Sequence, residues 1–386
     1  MRTYDDINQE YEALVAKKNM VETLDNSLLM QYCNPVLTKA HIQPFWMYDP
    51  NPESNPFMMQ RLGVNGVYCS GAVFLNGKYT LIARVEGTDR KSFFAIAQSE
   101  KGTEGFRFWN YPILFEDRYP EETDMYGMRL TKHEDGYIYG LFQVQSKAAS
   151  SENESVITEA GIIRSKDLIN WERLPNLRTG KIENRLSVCL FPEFVDQKYA
   201  FYLGTKETFC EAEAEGKIGF SLCEDMTNPY LSDDFLNGHI GAEGYNGSGS
   251  VPIKTDQGWI HISCETQKTA SGLHTAVYAF ATALEMPGKV IANPGGALLD
   301  LGCNTCGNAA AVDAIIDNSD VYLYFSSGDG CIRVAAMALD RLMDYVFHTP
   351  EDTVRSIDSV KQRCLFIAGN LQYLHCLNCK KELNLE

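Results

Sequence analysis

The chain has 386 residues, with 34 Lys and Arg against 51 Asp and Glu, a formal net charge of −17 and 12 Cys. That length holds two average domains or one large all-β domain. With 45% hydrophobic and 22% charged residues, a sizeable core is within reach and wholesale disorder is excluded. The acidic balance argues against a nucleic-acid partner, whose phosphates need a basic surface, and against a role on anionic membranes. A local basic pocket for a small anion stays open. No stretch of about 18 apolar residues is present to span a bilayer. The opening MRTYDDINQEYEAL has no basic-then-apolar leader, so the cysteines are expected as reduced thiols in a cytoplasm.

In chain order, residues 5–24 carry helix formers with acidic residues first, which predicts an N-terminal helix within an extension over residues 1–32. Next, Phe45, Trp46 and Tyr48 precede Asn55, Arg61 and Asn65. Aromatics beside Arg and Asn fit a sugar-stacking site and fit an ordinary core edge equally.

The middle of the chain repeats. NGKYTLIAR, DGYIYGLFQ, DQKYAFYLG, DQGWIHISC and NSDVYLYFS each set a turn before an apolar run, with anchors at Gly77, Gly136, Gln197, Gln257 and Ser319. The spacing is about sixty residues each time. Asn-Gly and Asp-Gly between apolar runs are strong hairpin signals. A further short strand follows each hairpin, as in FAIAQSEKG and GIIRSKDLI, and two copies continue into a Trp strand. Five four-stranded units at one period predict an all-β fold, a five-bladed β-propeller over residues 33–345. A large β-sandwich with accidental spacing is the alternative. Residues 147–158 and 210–217 read as polar and acidic surface loops. Residues 356–375 read as a helix inside a C-terminal extension over 346–386, after a break at His348-Thr349-Pro350. The terminal helices could serve a homo-oligomer.

The densest polar cluster follows the strand YTLIA: Arg84, Glu86, Asp89, Arg90, Lys91 and Ser92. Charged groups at a strand end can bond many hydroxyls in fixed geometry, which suits a sugar. A surface salt-bridge cluster is the bland alternative. Asp124 is the best free carboxylate near the expected channel, and Glu134-Asp135-Gly136 reads as turn chemistry. Cys303 and Cys306 have the spacing of a metal knuckle, but a second pair at suitable distance is lacking, so no metal is expected.

The words PVLTKAHIQPFWMYD, NPFMMQRLGVN, RVEGTDRKSFFAIA, MRLTKHEDGYIYG, SKDLINWERLP, PEFVDQKYA and DRLMDYVFHTPED resemble, in this order, the five-bladed propellers of glycoside hydrolase family 130, closest to the mannosylglucose phosphorylase group. The resemblance spans residues 33 to 352. It implies inverting cleavage of β-mannosides by inorganic phosphate, with an Asp as proton donor, cations around the phosphate and no cofactor. The sugar side matches at Arg61, Asn65, Arg84, Glu86, Asp89, Arg90, Lys91, Ser92, Arg129 and Asp329. The chemical side does not. Where the family reads Tyr-Asp-Met-Arg-Leu, with the Asp as acid, this chain reads Tyr126-Gly127-Met128-Arg129-Leu130. The family's Arg-Asn-Val-x-Leu-His-Pro-Glu is Leu186-Ser187-Val188-Cys189-Leu190-Phe191-Pro192-Glu193, and its Gly-Pro-His-Pro is Gly249-Ser250-Val251-Pro252. Arg185, Lys206 and Arg333 are the cations left to rebuild an anion site, and Asp124 and Asp329 the carboxylates left as candidate acids. Cys69, Cys189, Cys264, Cys303 and Cys331 fall in or beside channel words, and packing as small hydrophobes is their default. The expectation is a saccharide-binding propeller whose standard phosphorolysis is lost or altered, with phosphate a co-substrate only if phosphorolysis survives. A non-catalytic carbohydrate-binding or regulatory propeller is the alternative.

Overall fold

The computed structural model describes residues 2–22, 28–114, 119, 122–147, 156–179, 186–205, 218–231, 239–240, 249–269, 272–304, 311–326, 329–350 and 357–382. Thr3 caps helix α1 (Tyr4–Val15) in a capping box with Asp6. The helix stops well short of the predicted residue 24. Asn19 is the reason: its side chain bonds the Asn34 and Thr103 carbonyls and the Asn34 amide, which offers the backbone an alternative to another turn. Strand β1 (Met30–Gln31) and the short helix α2 (Pro44–Met47) follow.

Five sheets then succeed one another. Blade 1 is β2 (Val64–Leu75), β3 (Lys78–Gly87), β4 (Ser92–Ser99) and β5 (Arg107–Pro112). Blade 2 is β6 (Glu122–Lys132), β7 (Ile138–Lys147), β8 (Val156–Ser165) and β9 (Glu172–Thr179). Blade 3 is β10 (Leu186–Val195), β11 (Lys198–Thr205) and β12 (Ile218–Cys223). Between β12 and the outer strand of blade 3, β13 (Tyr230–Leu231) reaches back to lie parallel to β9 of blade 2, and β14 (His239–Ile240) then closes blade 3. Blade 4 is β15 (Ile253–Lys254), β16 (Trp259–Thr269) and β17 (Gly272–Thr282), edged by β18 (Val290–Ala292) and β19 (Leu299–Asn304). Blade 5 is β20 (Ala311–Asp317), β21 (Asp320–Ser326) and β22 (Arg333–Ala338). Its outer strand is β1, antiparallel to β22 through Met30 opposite Ala336. The start of the chain thus completes the last blade and closes the ring. The five-bladed propeller expected from the repeat is the observed fold. The turns follow their residues: Asn76 and Gly77 have φ of 52° and 73°, and Asp196 and Gln197 have 50° and 61°, the positive pair that a tight hairpin matching strand twist requires.

Burial follows the same geometry. Five apolar clusters form among the described residues, one in each wedge between neighbouring blades. Ile82 and Phe94 of blade 1 meet Leu130 and Phe142 of blade 2, and Leu190 and Phe201 of blade 3 meet Leu141 and Ile162 of blade 2. Each blade therefore buries both faces, which is why its strands are apolar nearly throughout. Helices α3 (Leu339–His348) and α4 (Ile357–Glu382) end the chain. Leu342 and Val346 of α3 join the wedge between blades 4 and 5. The predicted 147–158 loop is bounded by the ends of β7 and β8, with 148–155 outside the described residues, as is all of 210–217.

The first strands of the blades are laced together around the axis. Arg129 on β6 donates from Nη1 to the Ser70 carbonyl of blade 1 at 2.6 Å and from Nε to the Gly249 carbonyl ahead of β15 at 2.9 Å. Blades 2 and 4 are not neighbours in a ring of five, so this side chain crosses the axis. Thr131 bonds the Leu190 carbonyl of blade 3 at 3.0 Å. The Cys189 thiol lies 3.8 Å from the Ser250 carbonyl of blade 4. Asp313 on β20 accepts from the Ala72 amide of blade 1 at 2.8 Å and from the Val251 amide of blade 4. Removing Arg129 strands two buried carbonyls and an acidic partner. Arg129→Met is expected to cost about 3–5 kcal/mol, measured as a lower midpoint in urea unfolding.

Candidate functional site

The charged arm predicted over residues 84–92 is built at the end of β3. Strand alternation sends Val85 into the core, fully buried, and turns Arg84 and Glu86 to the other face. Glu86 is the hub. It accepts from Asn65 Nδ2 at 2.5 Å, from Arg90 Nη1 at 2.9 Å and from Arg84 Nη1 at 3.4 Å. Arg84 also donates to Ser92 Oγ at 3.3 Å, and its guanidinium lies 4.4 Å over the Tyr68 ring and 5.9 Å from that of Tyr126. The turn between β3 and β4 is set by Asp89, whose Oδ1 accepts from the Lys91 amide at 3.0 Å. Arg90 takes a left-handed φ of 67° there. The Ser92 amide then donates to Asp124 Oδ1 of blade 2 at 3.1 Å.

The structure thus joins Asn65, Arg84, Glu86, Asp89, Arg90, Lys91, Ser92 and Asp124 into one network at the mouth where the first strands begin. Asp329 and Arg333 pair at 3.1 Å, and their loop lies against the start of β2, where the Val67 amide bonds the Gly330 carbonyl at 3.0 Å. Arg61 stands apart, exposed and donating to the Ser54 carbonyl at 3.0 Å. Arg129 spends two donors on backbone carbonyls below the mouth. Arg185 and Lys206 lie outside the described residues. Trp46 packs on Phe93 and Phe108 with centroids 6.1 and 6.0 Å away and donates to the Asn110 carbonyl, so it is a core-edge residue, while Phe45 beside it is exposed.

Tyr68 and Asp313 have no place in the sequence reading, and Tyr126 enters it only as a letter of the family word. The signal for Asp313 was there: a lone carboxylate inside the apolar strand AVDAIID. The tyrosines gave no such signal, because alternate aromatics are what any propeller strand carries.

The electrostatics separate the carboxyl groups. Burial raises the Asp124 carboxyl above its ordinary value, against bonds from the Met125 and Ser92 amides and the charges of Lys91 and Arg84. Asp329 goes the other way: despite partial burial, the Cys331 thiol and Arg333 hold it below the usual range. Full burial lifts Asp313 to about 6, against the pull of Arg129. Burial also pushes the Cys189, Cys264 and Cys331 thiols up to about 12 and Cys69 further still, which makes them unreactive packing groups. Cys303 has no described side chain. Among the described residues no group of three His, Cys, Asp or Glu converges as a metal site would.

Gly127 sits in a break of the β6–β7 ladder between Tyr126 and Arg129. Its φ is 61°, it is exposed, and a methyl group placed on it meets nothing within 4 Å. Gly249 differs: a methyl group there would run into the Ile262 carbonyl of β16, so close strand approach requires that glycine.

The chain is 40% identical over 377 residues to a 4-O-β-D-mannosyl-D-glucose phosphorylase from Bacteroides fragilis, with 94% of this chain and 96% of that protein covered. Among solved structures, a β-1,2-mannobiose phosphorylase from Listeria innocua in complex with β-1,2-mannobiose superposes with a TM-score of 0.58 at 16% identity, covering 74% of this chain and 93% of that one. A structure from work on glycoside hydrolases within the GH130 mannoside phosphorylases, which target β-1,2 mannosidic linkages in Candida mannan, gives 0.58 at 14% identity over 83% and 96%. No family model matches the chain. Fold and sequence together define a propeller of the mannoside phosphorylase and glycosidase class. The chain belongs to glycoside hydrolase family 130.

Asp313 and the histidines pull stability in opposite directions with pH. His41 and His261 are held neutral by burial, lowered to about 4 and about 3, so they take up protons on unfolding below about pH 6.5 and stability falls with acid. Asp313 binds its proton in the folded state first, so it adds stability as pH falls from 6 towards its unfolded value. In Asp313→Asn that offset is gone, and thermal melts between pH 6 and 4 are expected to fall more steeply than in the wild type.

Proposed function

We propose that the mouth binds a β-mannoside-type saccharide through the Arg84–Ser92 arm, and that standard phosphorolysis is lost or altered. The Bacteroides fragilis relative is a 4-O-β-D-mannosyl-D-glucose phosphorylase, and its disaccharide is the first ligand to try. The observation that carries the reading is Gly127: where the family places its acid, this chain has backbone and open space. General acid catalysis is worth about 10²–10⁴-fold. A phosphate needs charge-assisted partners, and Leu186, Cys189 and Phe191 supply none.

The fit of the arm to a sugar rests on its donors and acceptors. Glu86, Asn65 and Ser92 offer both kinds, held by Arg84 and Arg90, so hydroxyl groups can be met in fixed directions. The exposed free thiols Cys33, Cys364 and Cys376 suit a reducing cytoplasm. No described helix is long and apolar enough to cross a membrane. Leu365, Phe366, Leu371 and Leu374 stand exposed on α4, which supports association of copies through that helix. A monomer by light scattering would end that reading.

With 4-O-β-mannosyl-glucose and phosphate, the wild type is expected to release α-mannose 1-phosphate at least about 100-fold more slowly than Gly127→Asp. The left-handed φ at this position costs Asp little, because its short polar side chain tolerates it. Calorimetry is expected to show binding of the disaccharide by the wild type, weakened at least about tenfold in Arg84→Ala. Fast phosphorolysis by the wild type, unimproved in Gly127→Asp, overturns the loss. Binding with no turnover of any mannoside marks a purely carbohydrate-binding protein.

A further inference from the structure

We propose that Asp124 is the proton donor of this pocket, a carboxyl group on β6 that protonates the glycosidic oxygen of a β-mannoside in place of the side chain missing at Gly127. The proposal rests on the saccharide-binding reading above and adds a reaction to it.

The placement is specific. Asp124 stands three residues before Gly127 on the strand that carries it, buried at 9% exposure. Ladder breaks flank it, one between Glu122 and Asp124 and one between Tyr126 and Arg129. Its Oδ1 accepts from the Ser92 amide at 3.1 Å and the Met125 amide at 2.9 Å. Both bonds go to one oxygen, which leaves Oδ2 to carry the proton. The Ser92 bond ties it to the turn of the hydroxyl-gripping arm. Arg84 on β3, Lys91 on the turn and Tyr126 on β6 are the charged or titratable groups around it.

The other carboxylates of the mouth are suited to different work. Glu86 is engaged by Asn65, Arg84 and Arg90. Asp89 holds the Lys91 amide. Asp329 is paired with Arg333 and kept anionic. Tyr126 is pushed by burial to about 12 and stays neutral. Burial raises the Asp124 carboxyl towards its neutral form while it stands on the arm, whereas Asp329 is held below the usual carboxylate range. Environments that drive carboxyl groups apart in this way separate acid from base.

In the step, the Oδ2 proton moves to the glycosidic oxygen as the C1–O bond breaks and its electron pair goes to that oxygen. The aglycone leaves as an alcohol. Water, or inorganic phosphate when supplied, forms the new bond to C1 from the opposite face, and an attacking water gives its spare proton to solvent. The Asp124 carboxylate takes a proton back from solvent.

The test compares two substrates on the full chain. 4-O-β-mannosyl-glucose needs its leaving alcohol protonated, whereas 2,4-dinitrophenyl β-mannoside does not. Asp124→Asn is expected to lose about 10²–10⁴-fold in kcat on the disaccharide and less than about tenfold on the aryl mannoside. Its melting temperature and calorimetric affinity for the disaccharide should stay near wild type. The wild-type rate on the disaccharide should fall as pH rises through the Asp124 pKa. An equal loss on both substrates, no loss on either, or a wild type that binds the disaccharide and cleaves neither overturns the proposal and leaves the binding reading intact. Failure to bind the disaccharide at all removes both.

Discussion

The structure depends on how five wedge-shaped sheets are held at their narrow edge. Apolar packing between blades is non-directional and would tolerate sliding. The bonds at the axis do not: Arg129 spans from blade 2 to blades 1 and 4, and Asp313 takes amides from blades 1 and 4. A guanidinium is a rigid fork that cannot lose its charge at neutral pH, so it fixes direction as well as distance. The buried carboxylate costs desolvation, visible in its raised pKa, and the amides of Ala72, Val251 and Ala314 together with Arg129 offset that cost. The axis below the charged arm is therefore a filled, directional core.

At the mouth the same charge types do a different task. Glu86 is an anion between two cations, Arg84 and Arg90, with Asn65 as a neutral donor. Paired in this way, the charges hold one another's side chains in fixed directions. The family's chemistry needs a proton donor and an anion cradle beside such an arm. This chain has the charged arm over residues 84–92 and a glycine at position 127, where the family words carry Asp; the proposed function rests on that pairing of an arm with an open backbone position. Residues 180–185 and 206–217 fall outside the described structure, and Arg185 and Lys206 with them.

Much of the fold was legible because it is local. A turn such as Asn76-Gly77 declares its backbone angles in two letters, and five recurrences at one spacing declare the ring. Helix α1 was over-read for the opposite reason. Residues 16–24 look helical by composition, and what ends the helix is Asn19 bonding to residues 34 and 103, contacts that no local pattern encodes. Trp46 was equally ambiguous until Phe93 and Phe108 were found beneath it. Among the site residues, the arm over 84–92 was readable as a run of charges, but the two bonds of Arg129 to carbonyls of other blades were not.

By itself the sequence determined the repeat, the hairpins, the ring and the absence of an acid side chain at position 127, because each is a matter of residue type at a local spacing. Only the tertiary structure decided which charges share the mouth, which cross the axis and which carboxyl groups burial raises. Those outcomes depend on burial and on partners sixty or more residues away, and the free energy of a charge is set by its surroundings rather than by its neighbours in the chain.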